Sequence, residues 1–406
     1  MPFIRTSEKI RQAKKKKSFL YVILALWLAT AYINTSFTMN CTATKAKIPA
    51  NVVPDGISAE SAVLIDASSG NVLFRKNADK RMPMASTTKI MTALVAIESC
   101  PLDRVVTITR DSVGIEGSSI YLYEGEKLSL ENLLYALLLE SANDAATAIA
   151  IEVGGSVKGF ADMMNARAKA LGLKDTSFEN PHGLDNENHY TTAYELAVIA
   201  AEAMRNENFA KIVSTPKKVI PLDKTEGVRL LVNHNKLLRI YDDAVGIKTG
   251  FTKRSGRCLV SAAVKNDVKL IAVTLNAPND WKDHEAMLDY GFNNYRSVAL
   301  CERGDFSEPL HLISGTENCV TVSNQSALYA TLPINHGEIT CTVELPRFAY
   351  APIEGGEKLG KLVYRCDGKI IGECEITAMY DVAAKDYNPG FLKAIKNFLR
   401  RIGIIG

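Results

Sequence analysis

No two of the eight cysteines form a Cys-x-x-Cys pair; they stand at positions 41, 100, 258, 301, 319, 341, 366 and 374. That absence argues against structural zinc, and no metal or other cofactor is expected. Five of the eight follow residue 300, so any disulfides are expected there, with their pairing left open. There is no Gly-x-Ser-x-Gly elbow, the turn that goes with a histidine-driven serine hydrolase. His182 and His189 are therefore expected to be structural loop residues. Nor is the body of the chain basic. Net charge is +3 over 406 residues, yet residues 1–17 hold seven Lys/Arg against one Glu. Residues 391–406 add Lys393, Lys396, Arg400 and Arg401 with no acid, which leaves the remainder acidic. No nucleic-acid partner is expected of such a distribution. No long-period repeat is present, which argues against a solenoid or propeller.

What is present begins with Lys14–Lys17, followed by a charge-free apolar stretch from Phe19 to Ile33. The stretch is short for a membrane span and right for a signal-peptide core, with the basic run staying on the cytoplasmic side. Residues 1–46 are thus expected to be a signal peptide or an uncleaved N-terminal anchor, and the rest exported. Asn40 before Cys41 disfavours lipoprotein processing.

Residues 40–56 read as a linker. Ala62–Ile65 and Val72–Phe74 flank the turn Asp66-Ala-Ser-Ser-Gly70 and predict a β-hairpin. Helices are predicted over Ile90–Ile97, Leu130–Leu139, Ala145–Val153, Val157–Leu171, Thr192–Met204 and Ala286–Tyr295. Strands return at Leu259–Val264 and Leu270–Leu275. Strands at both ends with helices between predict one sheet built from distant parts of the chain. Residues 47–300 form one expected domain. Over 301–385, short β-type runs broken by turns such as Asp367-Gly368 predict a separate all-β domain. Residues 386–406 close the chain with an expected helix. On its wheel Phe391, Leu392, Ile395, Phe398, Leu399, Ile402 and Ile405 share one arc, opposite Lys393, Lys396, Asn397, Arg400 and Arg401. An apolar face backed by a purely basic one is the pattern of a helix lying in an anionic membrane surface.

Three short motifs occur in order: Ser86-Thr-Thr-Lys89 at a helix start, Ser141-Ala-Asn143 between two helices, and Lys248-Thr249-Gly250 before Phe251. Each alone is common. The ordered set belongs to the serine β-lactamases and penicillin-binding proteins. A serine hydroxyl needs a base beside it. Residues i and i+3 share a helix face, so Lys89 falls next to Ser86. Lysine accepts a proton only where burial and neighbouring cations lower its pKa, and Lys248 is the candidate cation. Ser141 is placed to relay a proton to the departing amine, and Asn143 to hold substrate amide and lysine. Lys248 and Thr249 suit a terminal carboxylate. Amides at the helix start are free to bind an oxyanion.

On Pro83-Met-Ala-Ser-Thr-Thr-Lys89-Ile-Met-Thr92, Glu140-Ser-Ala-Asn-Asp-Ala145, Phe178-Glu-Asn-Pro-His-Gly-Leu184, Asn233-His-Asn-Lys-Leu237 and Gly246-Ile-Lys-Thr-Gly-Phe251-Thr, the chain resembles the D-alanyl-D-alanine carboxypeptidases among the low-molecular-mass penicillin-binding proteins. The resemblance runs from about residue 57 to the C-terminus. It implies an α/β penicillin-recognising (serine β-lactamase-like) catalytic domain, a small all-β C-terminal domain and a terminal amphipathic helix. It further implies an acyl-enzyme on Ser86, Lys89 as proton acceptor, Ser141 in the catalytic set, and substrate binding by Lys248 with Asn143, Thr249 and Gly250. The oxyanion hole would be the amides of Ser86 and Phe251. Implied partners are peptidoglycan stem peptides, β-lactam antibiotics as covalent inhibitors, and the outer face of the cytoplasmic membrane. A β-lactamase is the main rival. Its deacylating carboxylate, by resemblance within Glu-x-x-Leu-Asn, has only Glu202-Ala-Met-Arg-Asn206 as a near match, which lacks the Leu. A non-catalytic β-lactam sensor and a transpeptidase are the others.

Overall fold

A computed structural model describes residues 54, 56–223, 226–385 and 389–401. The N-terminal apolar stretch, Cys41, Ile402 and Ile405 lie outside these. The described chain divides into two compact units, Pro49–Ser297 with Thr331–Ile334, and Val298–Ala330 with Asn335–Gly406.

In the first unit β1 (Ser61–Asp66) and β2 (Val72–Lys76) form the expected hairpin, closed by Ser69 donating to Asp66 and by Gly70 at φ 75°. Two short pairs follow, β3 (Val105–Thr107) with β4 (Lys127–Ser129), and β5 (Lys217–Pro221) with β6 (Val228–Val232). Then come β7 (Ala244–Thr252), β8 (Gly256–Lys265) and β9 (Val268–Leu275). The main sheet has the order β2-β1-β9-β8-β7. Ser61 pairs with Leu275, so strands from distant parts of the chain lie side by side. The period-2 alternation separates two cores. Val63, Ile65, Ile271 and Val273 face the larger, helical side, while Ala62, Leu64, Leu270 and Ala272 face a smaller one with Met287 and Leu288. The latter two belong to the helix Asp280–Asn294, which begins earlier than the predicted Ala286.

The helix Lys89–Ser99 is buried from Lys89 through Ala96, which marks it as the centre of the helical layer. Ser129 and Thr192 cap the helices that follow them by accepting from Asn132 and Glu195. The strand-like segment at Phe251 is the end of β7, which begins earlier, at Ala244; Gly246, Lys248, Thr249 and Gly250 interrupt the alternation that would announce its first part.

The second unit holds a six-stranded sheet ordered Ile339–Glu344, Lys358–Cys366, Lys369–Ala378, Cys319–Asn324, Ser307–Ile313 and Phe348–Tyr350. Asp367 (φ 49°) and Gly368 (φ 78°) make the two-residue turn that their dipeptide predicts. All seven described cysteines are free thiols, so no bridge is present among the described residues, after residue 300 or before it. Register sets Cys319 opposite His311, Cys341 opposite Tyr364 and Cys366 opposite Ile339, while Cys374, opposite Leu362, lies beside Cys301. A terminal helix, Pro389–Arg401, follows the sheet.

Candidate active site

Ser86 sits in a single 3-10 turn, Ala85–Thr88, that runs into the helix Lys89–Ser99. The turn is tied by Thr87 Oγ1 donating to Met84 O (2.6 Å) and Thr88 Oγ1 to Ala85 O (2.8 Å). Lys89 is fully buried. Its Nζ lies 2.9 Å from Ser86 Oγ, 2.7 Å from Asn143 Oδ1 and 2.6 Å from His182 O. An ammonium has three protons and satisfies all three; a neutral amine has two, and its lone pair then faces the third neighbour. The amide and the carbonyl only accept, so in the neutral state the lone pair is left for the serine hydroxyl. Burial, and after it the charge of Lys248, holds Lys89 well below the usual lysine range, against a smaller opposing pull from Asp144.

Lys248 is also buried and donates to Thr249 O at 3.0 Å. Burial pushes it down to about 7, opposed by the carboxylate of Glu140. Ser141 holds a left-handed backbone (φ 60°) between its two helices. It lines the same cleft as Ser86, Ser118, Thr249, Gly250 and Phe251, a space of about 360 Å³. No hydrogen bond joins Ser141 to Ser86 or Lys89 among the described residues. Asn143 departs from the expected division of labour. Its Oδ1 holds Lys89, but its Nδ2 donates to Glu116 O at 2.6 Å. Among the described residues, no three His, Cys, Asp or Glu side chains converge as metal ligands.

Several contributions, including a packing role for the expected binding residue Gly250, are not legible in the sequence. The carbonyl of His182 is one, since any residue could supply it. Gly183 (φ 90°) is another, because a Cβ there would stand 1.9 Å from Ala85 O. A Cβ on Gly250 would stand 3.0 Å from Ser86 N, so glycine lets the edge strand β7 press against the serine turn. Asp144 pins the loop over the cleft by accepting from Ser119 Oγ (2.6 Å) and Leu122 N (3.0 Å).

The histidines have scaffold contacts. Nδ1 of His189 accepts from Glu179 N (3.0 Å), which leaves Nε2 as donor to Thr88 Oγ1 (2.7 Å). Burial, then Lys89, pushes His182 down to about 3 and His189 to about 4; burial alone pushes His284 to about 3. Their unfolded value is near 6.5, so the unfolded chain takes up these protons first. Stability from this source is therefore complete above pH ~6.5 and falls as pH drops toward ~4, by about 1.4 kcal/mol per histidine per pH unit. Urea midpoints at a series of pH values between these limits check this. The slope should be shallower in His284→Gln, and an identical slope in that variant contradicts the assignment.

Comparison with known proteins places these features in a family. Residues 46–279 match the family model described as D-alanyl-D-alanine carboxypeptidase, and residues 295–384 match that of the penicillin-binding protein 5 C-terminal domain. The chain is 32% identical over 349 residues to the D-alanyl-D-alanine carboxypeptidase DacF of Bacillus subtilis, covering 83% of this chain and 88% of that protein. It is similar to the crystal structure of penicillin-binding protein 5 from Haemophilus influenzae (TM-score 0.69, 31% identity, 82% of this chain and 99% of the other). It is also similar to the DD-transpeptidase of Streptomyces K15 (TM-score 0.56, 34% identity, 59% of this chain and 99% of the other).

Proposed function

The chain belongs to the D-alanyl-D-alanine carboxypeptidase family of serine hydrolases, and from that premise we propose how its own residues remove the terminal D-Ala of peptidoglycan stem pentapeptides. The observation that carries the reading is the three-way coordination of Lys89, which leaves a neutral amine's lone pair for Ser86. Ser86 Oγ attacks the penultimate D-Ala carbonyl carbon while its proton passes to Lys89 Nζ. Amides of Ser86 and Phe251 receive the oxyanion; Ser86 lies in the first turn of its helix, where amides lack intrahelical acceptors. The C–N bond then breaks. Lys89 returns the proton, through Ser141, to the departing D-Ala amine. Water then attacks the ester carbonyl and gives a proton to Lys89; the C–Oγ bond breaks, and Lys89 returns that proton to Ser86 Oγ, which restores the hydroxyl and the neutral amine. Lys248 and Thr249 bind the terminal carboxylate, and Gly250 keeps the strand close. A β-lactam acylates Ser86 by the same route.

A lactamase reading has less support. Glu202, the nearest match to a deacylating carboxylate, is engaged by Arg167 (2.7 Å) and Arg205 (3.1 Å). The catalytic work belongs to residues 47–300, with 301–385 as a β-rich stalk and 1–46 directing export. Residues 386–406 hold the enzyme at the outer face of the cytoplasmic membrane. Support for the last point is the one-sided basic pattern and Phe398, 62% exposed on the helix Pro389–Arg401. Among the described residues no helix is long and apolar enough to cross a membrane.

One experiment tests both parts. Full-length protein and a chain lacking 391–406 are given a stem pentapeptide, with free D-Ala read against β-lactam hydrolysis. Both are expected to release D-Ala with little lactam turnover, and only the shortened enzyme to be soluble without detergent. Lactam turnover faster than D-Ala release reverses the functional reading. A shortened enzyme that stays with membranes after signal cleavage removes the helix reading.

A further inference from the structure

Tyr121 stands out on the loop that continues from Ser118, a residue lining the cleft. Its neighbours Ile120 and Leu122 are buried and their amides bond Asp144 (3.3 and 3.0 Å), yet Tyr121 between them is 85% exposed. Its φ of 57° is a costly conformation for a bulky residue. The conformation is held from several sides. Tyr121 N donates to Ser119 Oγ (2.9 Å), and Arg229 donates to Ile120 O (2.9 Å) and Tyr121 O (3.2 Å). Arg229 is itself anchored by two contacts to the fully buried Glu126. Such bracing fixes the backbone from which the exposed ring projects, and strain of this kind points to use.

The loop borders the reaction site, since Ser118 lines the cleft beside Ser86. A second aromatic, Phe251, is 65% exposed on the strand that lines the same cleft. A stem peptide is carried on a glycan strand, with four residues between the scissile bond and the sugar. Extended, these reach about 13–14 Å. Tyr121 is three residue steps from Ser118, at most about 10–11 Å, so the rim lies within that reach. Sugar rings present C–H faces that pack on aromatic faces and polar groups that pair with water and hydroxyls. Glu116 and Glu124, exposed on the same loop, disfavour an anionic lipid surface.

We propose that Tyr121 is a preorganised platform for the glycan strand that carries the stem peptide, so that this enzyme favours polymer-linked over free pentapeptide. The proposal rests on the carboxypeptidase reading. Steady-state D-Ala release is measured from a free pentapeptide and from the same pentapeptide on polymeric glycan, for wild type, Tyr121→Ala, Tyr121→Gly and Tyr121→Phe. The Ala and Gly variants should raise KM for the polymer about tenfold, leaving its kcat and the free-peptide kinetics unchanged. Glycine suits the left-handed backbone, so agreement between the two excludes misfolding as the cause. Tyr121→Phe should stay near wild type. Equal losses on both substrates, or no loss on either, overturn the proposal. So does intact polymer turnover combined with lost binding to anionic lipid vesicles. A wild-type enzyme that releases no D-Ala from free pentapeptide overturns the carboxypeptidase reading itself, a result distinct from all of these.

Discussion

A Ser86→Ala enzyme is expected to release no D-Ala from a stem pentapeptide and to take up no covalent penicillin label. Both reactions begin with the same bond to Ser86 Oγ, so both should fail together. Lys89→Arg separates the nucleophile from its activation. Arginine stays protonated and cannot take the hydroxyl proton. Among the described residues the side-chain hydrogen bond of Ser86 Oγ is to Lys89 Nζ, so the substitution removes the base that touches the hydroxyl. Acylation by penicillin should fall by about 10²–10⁴-fold, the usual worth of a positioned base. Stopped-flow acylation rates and D-Ala release measure these effects. D-Ala release retained in Ser86→Ala would falsify the assignment, and near-normal acylation in Lys89→Arg would remove Lys89 from the proton path.

The second large effect is expected from a residue with no functional group. In Gly183→Ala the new methyl would stand 1.9 Å from Ala85 O and 2.9 Å from Thr88 Oγ1. Neither neighbour is a flexible tip. Ala85 O accepts from Thr88 within the serine turn, and Gly183 follows His182, whose carbonyl holds Lys89. Relief of the clash must therefore shift the nucleophile, its base or both. A loss of about 2–4 kcal/mol in stability is expected from overpacking plus the unfavourable φ. Acylation should slow by about 10²-fold, as expected for a displacement of about 1 Å at a reacting centre. Gly172→Ala is the control: its φ is also positive, at 77°, but nothing lies within 4 Å. It should cost about 1–2 kcal/mol with acylation unchanged. Equal effects in the two variants would show that backbone strain alone, not the packing against the serine turn, accounts for Gly183.

Much of the architecture is legible because burial is periodic. The alternation in β1 and β9, the mostly apolar helix after Ser86, and the Asp367-Gly368 turn each follow from local rules. Elements whose residues serve the cleft break those rules. β7 carries a buried lysine and two glycines where apolar alternation would announce a strand, so only its end at Phe251 reads as strand-like. Cysteine positions show the same limit from the other side. Their number and clustering are plain, but strand register sets four of those after residue 300 opposite other residue types.

By itself the sequence determined which chemistry the chain carries, because Ser86 and Lys89 meet through helix spacing alone. It also determined the split between an acidic body and basic, amphipathic ends, a matter of composition and of the helical period. Only the tertiary structure decided what surrounds the lysine. Asn143 and the His182 carbonyl come from segments far along the chain, and burial, the largest influence on Lys89, belongs to no single segment. Close approaches at Gly183 and Gly250 are likewise decided by packing, since a missing side chain acquires meaning only from the atom that fills its place. The same holds for Tyr121, an ordinary tyrosine in the sequence, which Arg229, Glu126 and Asp144 brace in an exposed, left-handed pose.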